Sequence, residues 1–284
     1  FIQQSDLDRA VYKLVAETVS TGRLVIGRCQ VADSYRFGSV HAAYPVGVRQ
    51  IETDSRTGVQ NTAKHGVNEA TFNELYIDIG CASREEAEKK VAIGDMAVYV
   101  TNYVDLGERA ACGAMDDRIC CAIVAEAMKE MKSEHDVYAV FTVQEEVGCR
   151  GGSPAAYAIE PDLNISLDVT GVGDIPECSR MAVSLGCGPT VKVMDSSVIV
   201  PPVVRAFIEA AAEEDGIPYQ REVLRAGGTD TGAIQRTRGG ILSGCISVPT
   251  RYIHTPVETV DMKDVDNAVK LLCACLKRKE LPRR

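Results

Sequence analysis

The chain has 284 residues, of which 45% are hydrophobic and 25% charged, and its formal net charge is −9. A chain of this length can bury the core of one large domain or of two smaller ones. An acidic surface does not attract phosphate backbones, and no basic stripe with interleaved aromatic residues occurs, so we expect no nucleic-acid partner.

The eleven cysteines indicate a reducing compartment and not a disulfide framework. Cys120 and Cys121 are adjacent, and no CxxC pair occurs. Cysteines scattered through apolar segments behave as small hydrophobic residues. The sequence contains no signal peptide and no apolar run of membrane-spanning length. We therefore predict a cytoplasmic protein that does not enter a membrane.

Residues 1–106 are predicted to form a smaller β-rich domain. Short apolar runs rich in Val, Ile, Thr and Tyr, separated by glycines, are typical of short strands; they include 24–26, 46–48 and 96–100. A helix is predicted over 83–90, because Ser83 and Glu86 form a capping box. Residues 9–19 are a second helix candidate.

Residues 107–284 alternate between helical and strand patterns. The predicted helices cover 118–132, 202–215 and 265–277, and the predicted strands cover 137–143, 163–169 and 240–248. This alternation predicts an α/β domain with a mainly parallel sheet flanked by helices.

Carboxylates and one histidine stand where predicted strands end or a predicted helix begins. These residues are Asp116, Glu145, Glu146, Asp168 and His254. Because sites in open α/β sheets form at the carboxyl ends of the strands, we expect the five side chains to meet in one cleft. Carboxylate oxygen and imidazole nitrogen suit divalent metals, and a bridging carboxylate can hold two ions about 3.5–4 Å apart.

Most of these residues also have a purely structural interpretation. Asp116 and Asp117 could cap the helix that follows, since acids favour helix N-termini. A Glu-Glu pair is usually solvated surface, and His254 could be a satisfied core histidine. Asp168 is harder to explain in this way, because burying a lone carboxylate is costly unless it is paired or ligates a metal.

Several strings resemble, in order and spacing, the signature of the tetrahedral (TET-like) glutamyl aminopeptidase family of dinuclear metallopeptidases. They are Tyr76-Ile77-Asp78-Ile79-Gly80 with Ser83-Arg84-Glu85-Glu86-Ala87, Met115-Asp116-Asp117-Arg118, Phe141-Thr142-Val143-Gln144-Glu145-Glu146-Val147-Gly148, Leu167-Asp168-Val169-Thr170, Gly228-Thr229-Asp230 and Val248-Pro249-Thr250-Arg251-Tyr252-Ile253-His254-Thr255. The resemblance covers the chain from about residue 75 to its end, whereas residues 1–70 match poorly.

The resemblance implies that residues 107–284 are a metallopeptidase catalytic domain of zinc-exopeptidase-like fold, and it implies a role for each candidate residue. Asp116 would bridge two ions, Glu146 and His254 would ligate one of them, and Asp168 would ligate the other. Glu145 would be the general base, which activates a metal-bound water and later protonates the leaving amine.

Asp230 and Arg251 are the expected substrate-binding residues. For Asp230, a turn aspartate after Gly227 and Gly228 is an alternative interpretation.

The resemblance also implies cofactors and partners. Two divalent ions are expected, zinc or cobalt first and manganese as an alternative, since ligand type does not decide among them. The substrates would be peptides. The family role of the β-rich domain is dimerisation and assembly, so a homo-oligomer built from dimers, such as a dodecamer, is expected.

One family feature is absent from the sequence, a His-x-Asp motif that carries a further metal-binding histidine. No acid stands two residues after His41, His65 or His135. We expect the motif to precede Phe1, and we expect the chain by itself to bind at most one ion tightly and to show little activity. Two other functions stay open: a two-metal deacylase or carboxypeptidase with the same ligands, and a non-catalytic assembly subunit.

Overall fold

The structure, a computed structural model, describes residues 79–95, 102–176, 178 and 180–283. The described residues fall into two compact units, with 79–95 in one and those from 102 onward in the other. The strands predicted before residue 101 and the helix candidate at 9–19 lie outside the described residues. The β-rich domain over 1–106 and its boundary therefore stay a prediction.

The first unit contains helix α1, Arg84–Ala87, which begins where the capping box predicts. The Ser83 side chain accepts a hydrogen bond from the Glu86 N–H at 3.2 Å, and the Glu86 carboxylate accepts one from the Ala82 N–H at 3.0 Å. The helix is shorter than the predicted 83–90 and has no buried residue. A helix with no buried face lacks the packing that normally extends it.

In the second unit the described residues form a seven-stranded sheet with five helices. The strands are β1 (Val104–Asp105), β2 (Arg109–Cys112), β3 (Leu163–Thr170), β4 (Thr190–Met194), β5 (Gln220–Val223), β6 (Leu242–Arg251) and β7 (Glu258–Asp261). The helices are α2 (Met115–Glu130), α3 (Gly152–Ile159), α4 (Pro202–Glu214), α5 (Asp230–Gln235) and α6 (Met262–Leu276). The predicted α/β class is confirmed. Within the part of the chain that the structure describes, no helix is both long and apolar enough to cross a membrane.

The sheet is built around β6, in the order β1-β2-β7-β6-β4-β5, with β3 also paired to β6. The long β3–β6 pairing is parallel, as predicted, and so is β4–β5. The other pairings are antiparallel, so the sheet is mixed. Eight consecutive residues of β6 are buried, which is typical of a strand covered on both faces.

The long helices and strands lie close to their predicted positions. One predicted strand does not form, and several short elements were not predicted. The strand predicted over 137–143 is wrong: Val140 forms a single bridge there and no continuous ladder. Ala139 and Val140 are buried, so their apolar character reflects core packing. The short elements β2, β4, β5, β7, α3 and α5 were not predicted, because so few residues show no clear period.

A buried ion pair joins β4 to β5. Lys192 Nζ contacts the Glu222 carboxylate and lies 3.4 Å from Asp195 Oδ2, and all three side chains are fully buried. Thr190 Oγ1 donates a hydrogen bond to Glu222 Oε2 at 2.8 Å. Burial lowers the pKa of Lys192, but the surrounding acidic groups outweigh it and raise that pKa. Lys192 is therefore charged at neutral pH.

Replacing Lys192 with methionine is expected to destabilise the fold by about 3–5 kcal/mol, because two buried carboxylates lose their cation. The control is Lys277→Met, which removes a partly exposed ion pair with Asp215 and should cost less than about 1 kcal/mol. Urea unfolding of both variants measures the difference. An equally small decrease in the free energy of unfolding in both variants would show that the buried ion pair does not stabilise the fold as argued.

Candidate metal centre

Asp116 and Asp117 lie at the start of α2 without helical geometry. Their φ/ψ angles are −78/99° and −127/41°, so the regular helix begins at Arg118, as predicted. Both side chains are buried, with 8% and 5% of their surface exposed. Ala114, which precedes Met115, has a φ of +57° and gives no side-chain cap. The two aspartates thus lie buried directly before the regular part of the helix.

The two adjacent glutamates lie on a compact loop between Val143 and Gly151. Backbone hydrogen bonds close it, including Gly151 N–H to Val143 O at 3.0 Å and Cys149 N–H to Glu145 O at 2.8 Å. Gly151 allows this close approach, because a Cβ there would lie 2.6 Å from Val143 N. Glu145 is buried, whereas Glu146 is exposed. The loop thus directs the two carboxylates into different surroundings.

Asp168 and His254 come from the neighbouring strands β3 and β6. Asp168 is buried near the end of β3, where its Oδ1 accepts the Val169 N–H at 2.8 Å. His254 follows the end of β6 and has a φ of +63°, which is uncommon for a residue other than glycine. Its backbone N–H donates to Glu258 Oε1 at 2.6 Å.

Glu258 was not predicted as a site residue. It is 2% exposed, and its Oε2 also accepts the Asp116 N–H at 2.9 Å. Burial raises the pKa of Glu258, although both N–H donors lower it. The signal that could have identified it is an acid a few residues after the candidate ligand His254, but spacing alone does not distinguish it from a surface residue.

Two groups of side chains provide possible metal donors. Asp116, Glu146 and His254 form the first group, and Asp116, Asp117 and Asp168 form the second; within each group the donor atoms lie within 4.8 Å of one another. His254 Nε2 is 3.0 Å from Asp116 Oδ2 and 3.4 Å from Glu146 Oε2. Asp116 belongs to both groups, which is the position that a bridging carboxylate takes.

The chemistry of both donor groups fits a divalent cation. The first group has one imidazole nitrogen and two carboxylates, a set that zinc, cobalt and manganese accept. The second group, among the described residues, has carboxylates only. Three buried carboxylates this close together repel one another unless a cation or protons balance them. A cation at this position would remove that repulsion.

A third group joins Glu145 to Cys149 and Asp230. The Cys149 thiol donates to Glu145 Oε1 at 3.4 Å. Burial, together with the charges of Glu145, Asp230 and Asp168, raises the pKa of Cys149, so this thiol is protonated at neutral pH. Asp230 is the buried first residue of α5 and accepts a hydrogen bond from Thr142 Oγ1 at 2.6 Å. Asp230 thus begins a helix directly after Gly227, Gly228 and the Thr229 cap, and its role in substrate binding stays a prediction.

Comparison with known proteins places this arrangement in a family. The family model described as M42 glutamyl aminopeptidase matches residues 48–271. The chain belongs to the M42 glutamyl aminopeptidase family. The resemblance seen in the sequence strings is thereby confirmed.

Individual relatives support the assignment. The chain is 53% identical over 202 residues to a putative aminopeptidase of Acetivibrio thermocellus, covering 71% of this chain and 61% of the relative. It is 36% identical over 222 residues to the lysyl aminopeptidase of Pyrococcus furiosus, covering 77% and 63%.

A solved structure is similar as well, that of the Pyrococcus horikoshii TET1 peptidase, which is described as able to assemble into a tetrahedron or a large octahedral shell. It matches with 32% identity and a TM-score of 0.64 over 74% of this chain and 62% of that one. The chain thus spans less than two thirds of the length of each of these three proteins.

Within this M42 chain, Arg251 is the predicted site residue that the structure places apart from the three donor groups. Its guanidinium donates to Asp174 through Nε at 3.0 Å and Nη2 at 2.9 Å. Burial raises the pKa of Asp174, but the hydrogen bonds from Arg251 and the Leu185 N–H, together with the arginine charges, outweigh this and lower it. The structure thus shows Arg251 in an ion pair, and its role in substrate binding stays a prediction.

Proposed function

We propose that the protein is a metal-dependent aminopeptidase that uses two divalent ions to remove amino-terminal residues from peptides. The observation that supports this most directly is that Asp116 belongs to two donor groups at once. One carboxylate shared in this way is what two ions about 3.5–4 Å apart require. Membership of the M42 family supports the same reaction.

In this proposal, Asp116 would contribute to both ion sites, Glu146 and His254 would hold the first ion, and Asp168 would hold the second. When bound, the ions supply Lewis acidity and a water of lowered pKa. The carboxylates and the imidazole fix the positions at which this chemistry takes place. Zinc or cobalt suits the first group because it contains a nitrogen donor, with manganese as an alternative.

Glu145 is proposed as the general base. It is buried on the same loop as the ligand Glu146, so backbone geometry sets the distance between base and metal site. Its carboxylate takes a proton from the attacking water and returns it to the amine that leaves. The Cys149 thiol donates to Glu145 Oε1, which orients this carboxylate.

Substrate recognition and assembly extend the proposal. Asp230, next to Glu145, is proposed to shape the pocket for the peptide, and Arg251 to contribute at its edge. The family is named for glutamyl and one relative for lysyl aminopeptidase activity, so the preferred amino-terminal residue follows from neither name. By analogy with the P. horikoshii peptidase, we propose a homo-oligomer built from dimers. The cysteine pattern supports a cytoplasmic location.

The test is hydrolysis of an aminoacyl-p-nitroanilide panel by the product of the complete gene, before and after chelation and with metal added back. Activity that chelation removes and zinc, cobalt or manganese restores is expected, because the proposed base acts on water at a metal site. Hydrolysis that survives complete metal removal would contradict the proposal. Cleavage of acylated amino acids or carboxyl-terminal residues alone would indicate a deacylase or carboxypeptidase, and metal binding without hydrolysis a non-catalytic subunit.

A further inference from the structure

The topology of the sheet brings Glu258 beside two candidate ligands. β7 lies between β2 and β6, and Glu258 is its first residue. In the β2–β7 register Glu258 is the partner of Cys112, the residue that ends β2 shortly before Asp116. On the other side, β6 ends at Arg251, shortly before His254.

A single carboxylate joins the two ligand segments. Oε2 of Glu258 accepts the Asp116 N–H at 2.9 Å, and Oε1 accepts the His254 N–H at 2.6 Å. Neither backbone segment is regular at these points, since Asp116 is non-helical and His254 has a positive φ. The buried carboxylate therefore satisfies N–H groups of two irregular segments, a requirement for buried backbone donors.

We propose that Glu258 is a positioning residue that sets the separation of Asp116 and His254 for the first ion; this rests on the function proposed above. A carboxylate can accept at both oxygens, whereas a glutamine side chain has one acceptor and one donor. The side-chain oxygen of glutamine can accept one of the two backbone N–H groups. Its amide nitrogen then faces the other N–H group, donor against donor, and cannot accept from it. The backbones of Asp116 and His254 are then no longer held by the same side chain, although neither ligand side chain has been changed.

The test compares Glu258→Gln with Asp264→Asn, a matched control elsewhere in the fold. Asp264 is also buried, and it accepts the N–H groups of Gly186 at 2.7 Å and Gly188 at 2.6 Å. It contributes to none of the three donor groups. Zinc affinity is measured by calorimetric titration of the metal-free product of the complete gene, and thermal melting of the same samples reports the fold.

We expect zinc affinity at the tighter site to fall about 10–100-fold in Glu258→Gln, the usual cost of losing a partner that orients a metal ligand. Asp264→Asn should keep wild-type affinity even where its melting temperature falls. In Glu258→Gln, excess zinc should restore most of kcat, which it would not do if the residue served the fold alone. Unchanged zinc affinity in Glu258→Gln, or an equal loss in both variants, would overturn the proposal.

A second variant keeps the test decisive if Glu258→Gln does not fold. Glu258→Asp retains the charge but is one methylene shorter, so it should reach one segment only and also weaken zinc binding. Wild-type affinity in Glu258→Asp would then count against the proposal. A wild-type protein that binds zinc at Asp116 and His254 without cleaving peptides would overturn the proposed function alone, whereas one that binds no zinc would overturn both.

Discussion

Glu145→Gln is expected to remove nearly all peptidase turnover and to leave metal binding intact. Glutamine has almost the same shape as glutamate but cannot take a proton from water. The loss of a general base in other enzymes is typically about 10²–10⁴-fold in rate. Because Glu145 is absent from both proposed metal donor groups, the metal content by elemental analysis should match that of the wild type.

The matched control for Glu145→Gln is the same substitution at the next position. Glu146→Gln changes a residue whose Oε2 lies 3.4 Å from His254 Nε2, so it should lose metal affinity as well as activity. Both variants alter the same loop by the same chemistry, which removes general loop damage as an explanation of any difference. Equal metal loss in the two variants would refute the assignment of base and ligand.

Asp116→Asn is expected to weaken the binding of both ions, because Asp116 is the residue common to the two donor groups. Because the asparagine amide is neutral, both cations lose the negative charge of their common ligand. The loss of affinity should exceed the about 10–100-fold that follows from removing an outer partner of a ligand. Zinc titration, with the number of ions per chain from elemental analysis, measures it.

The neighbouring residue provides the control for Asp116→Asn. Asp117 belongs to the second donor group but not to the first. Asp117→Asn should therefore affect at most one ion and leave the affinity of the site at Glu146 and His254 unchanged. If Asp117→Asn removed both ions, or Asp116→Asn only one, the shared carboxylate would have been assigned to the wrong aspartate.

The sequence by itself determined those features that depend on neighbours in the chain. The Ser83 cap of α1 and the start of the regular part of α2 at Arg118 follow from capping chemistry and helical periodicity, which act within one or two turns. The strands β3 and β6 follow from apolar runs. The positions of Asp168 and His254 near strand ends then follow from the general rule for α/β sheets.

Only the tertiary structure decided how these residues meet. The hydrogen bond from the Asp116 N–H to Glu258 joins residues 142 positions apart. Hydrophobic periodicity acts within a few turns of the chain and cannot predict a contact over that separation. The same is true of the ion pair between Arg251, expected from the sequence to bind substrate, and Asp174, which lies 77 positions away. Glu145 and Glu146 are chemically identical in the sequence, and the fold of their loop alone makes one buried and the other exposed.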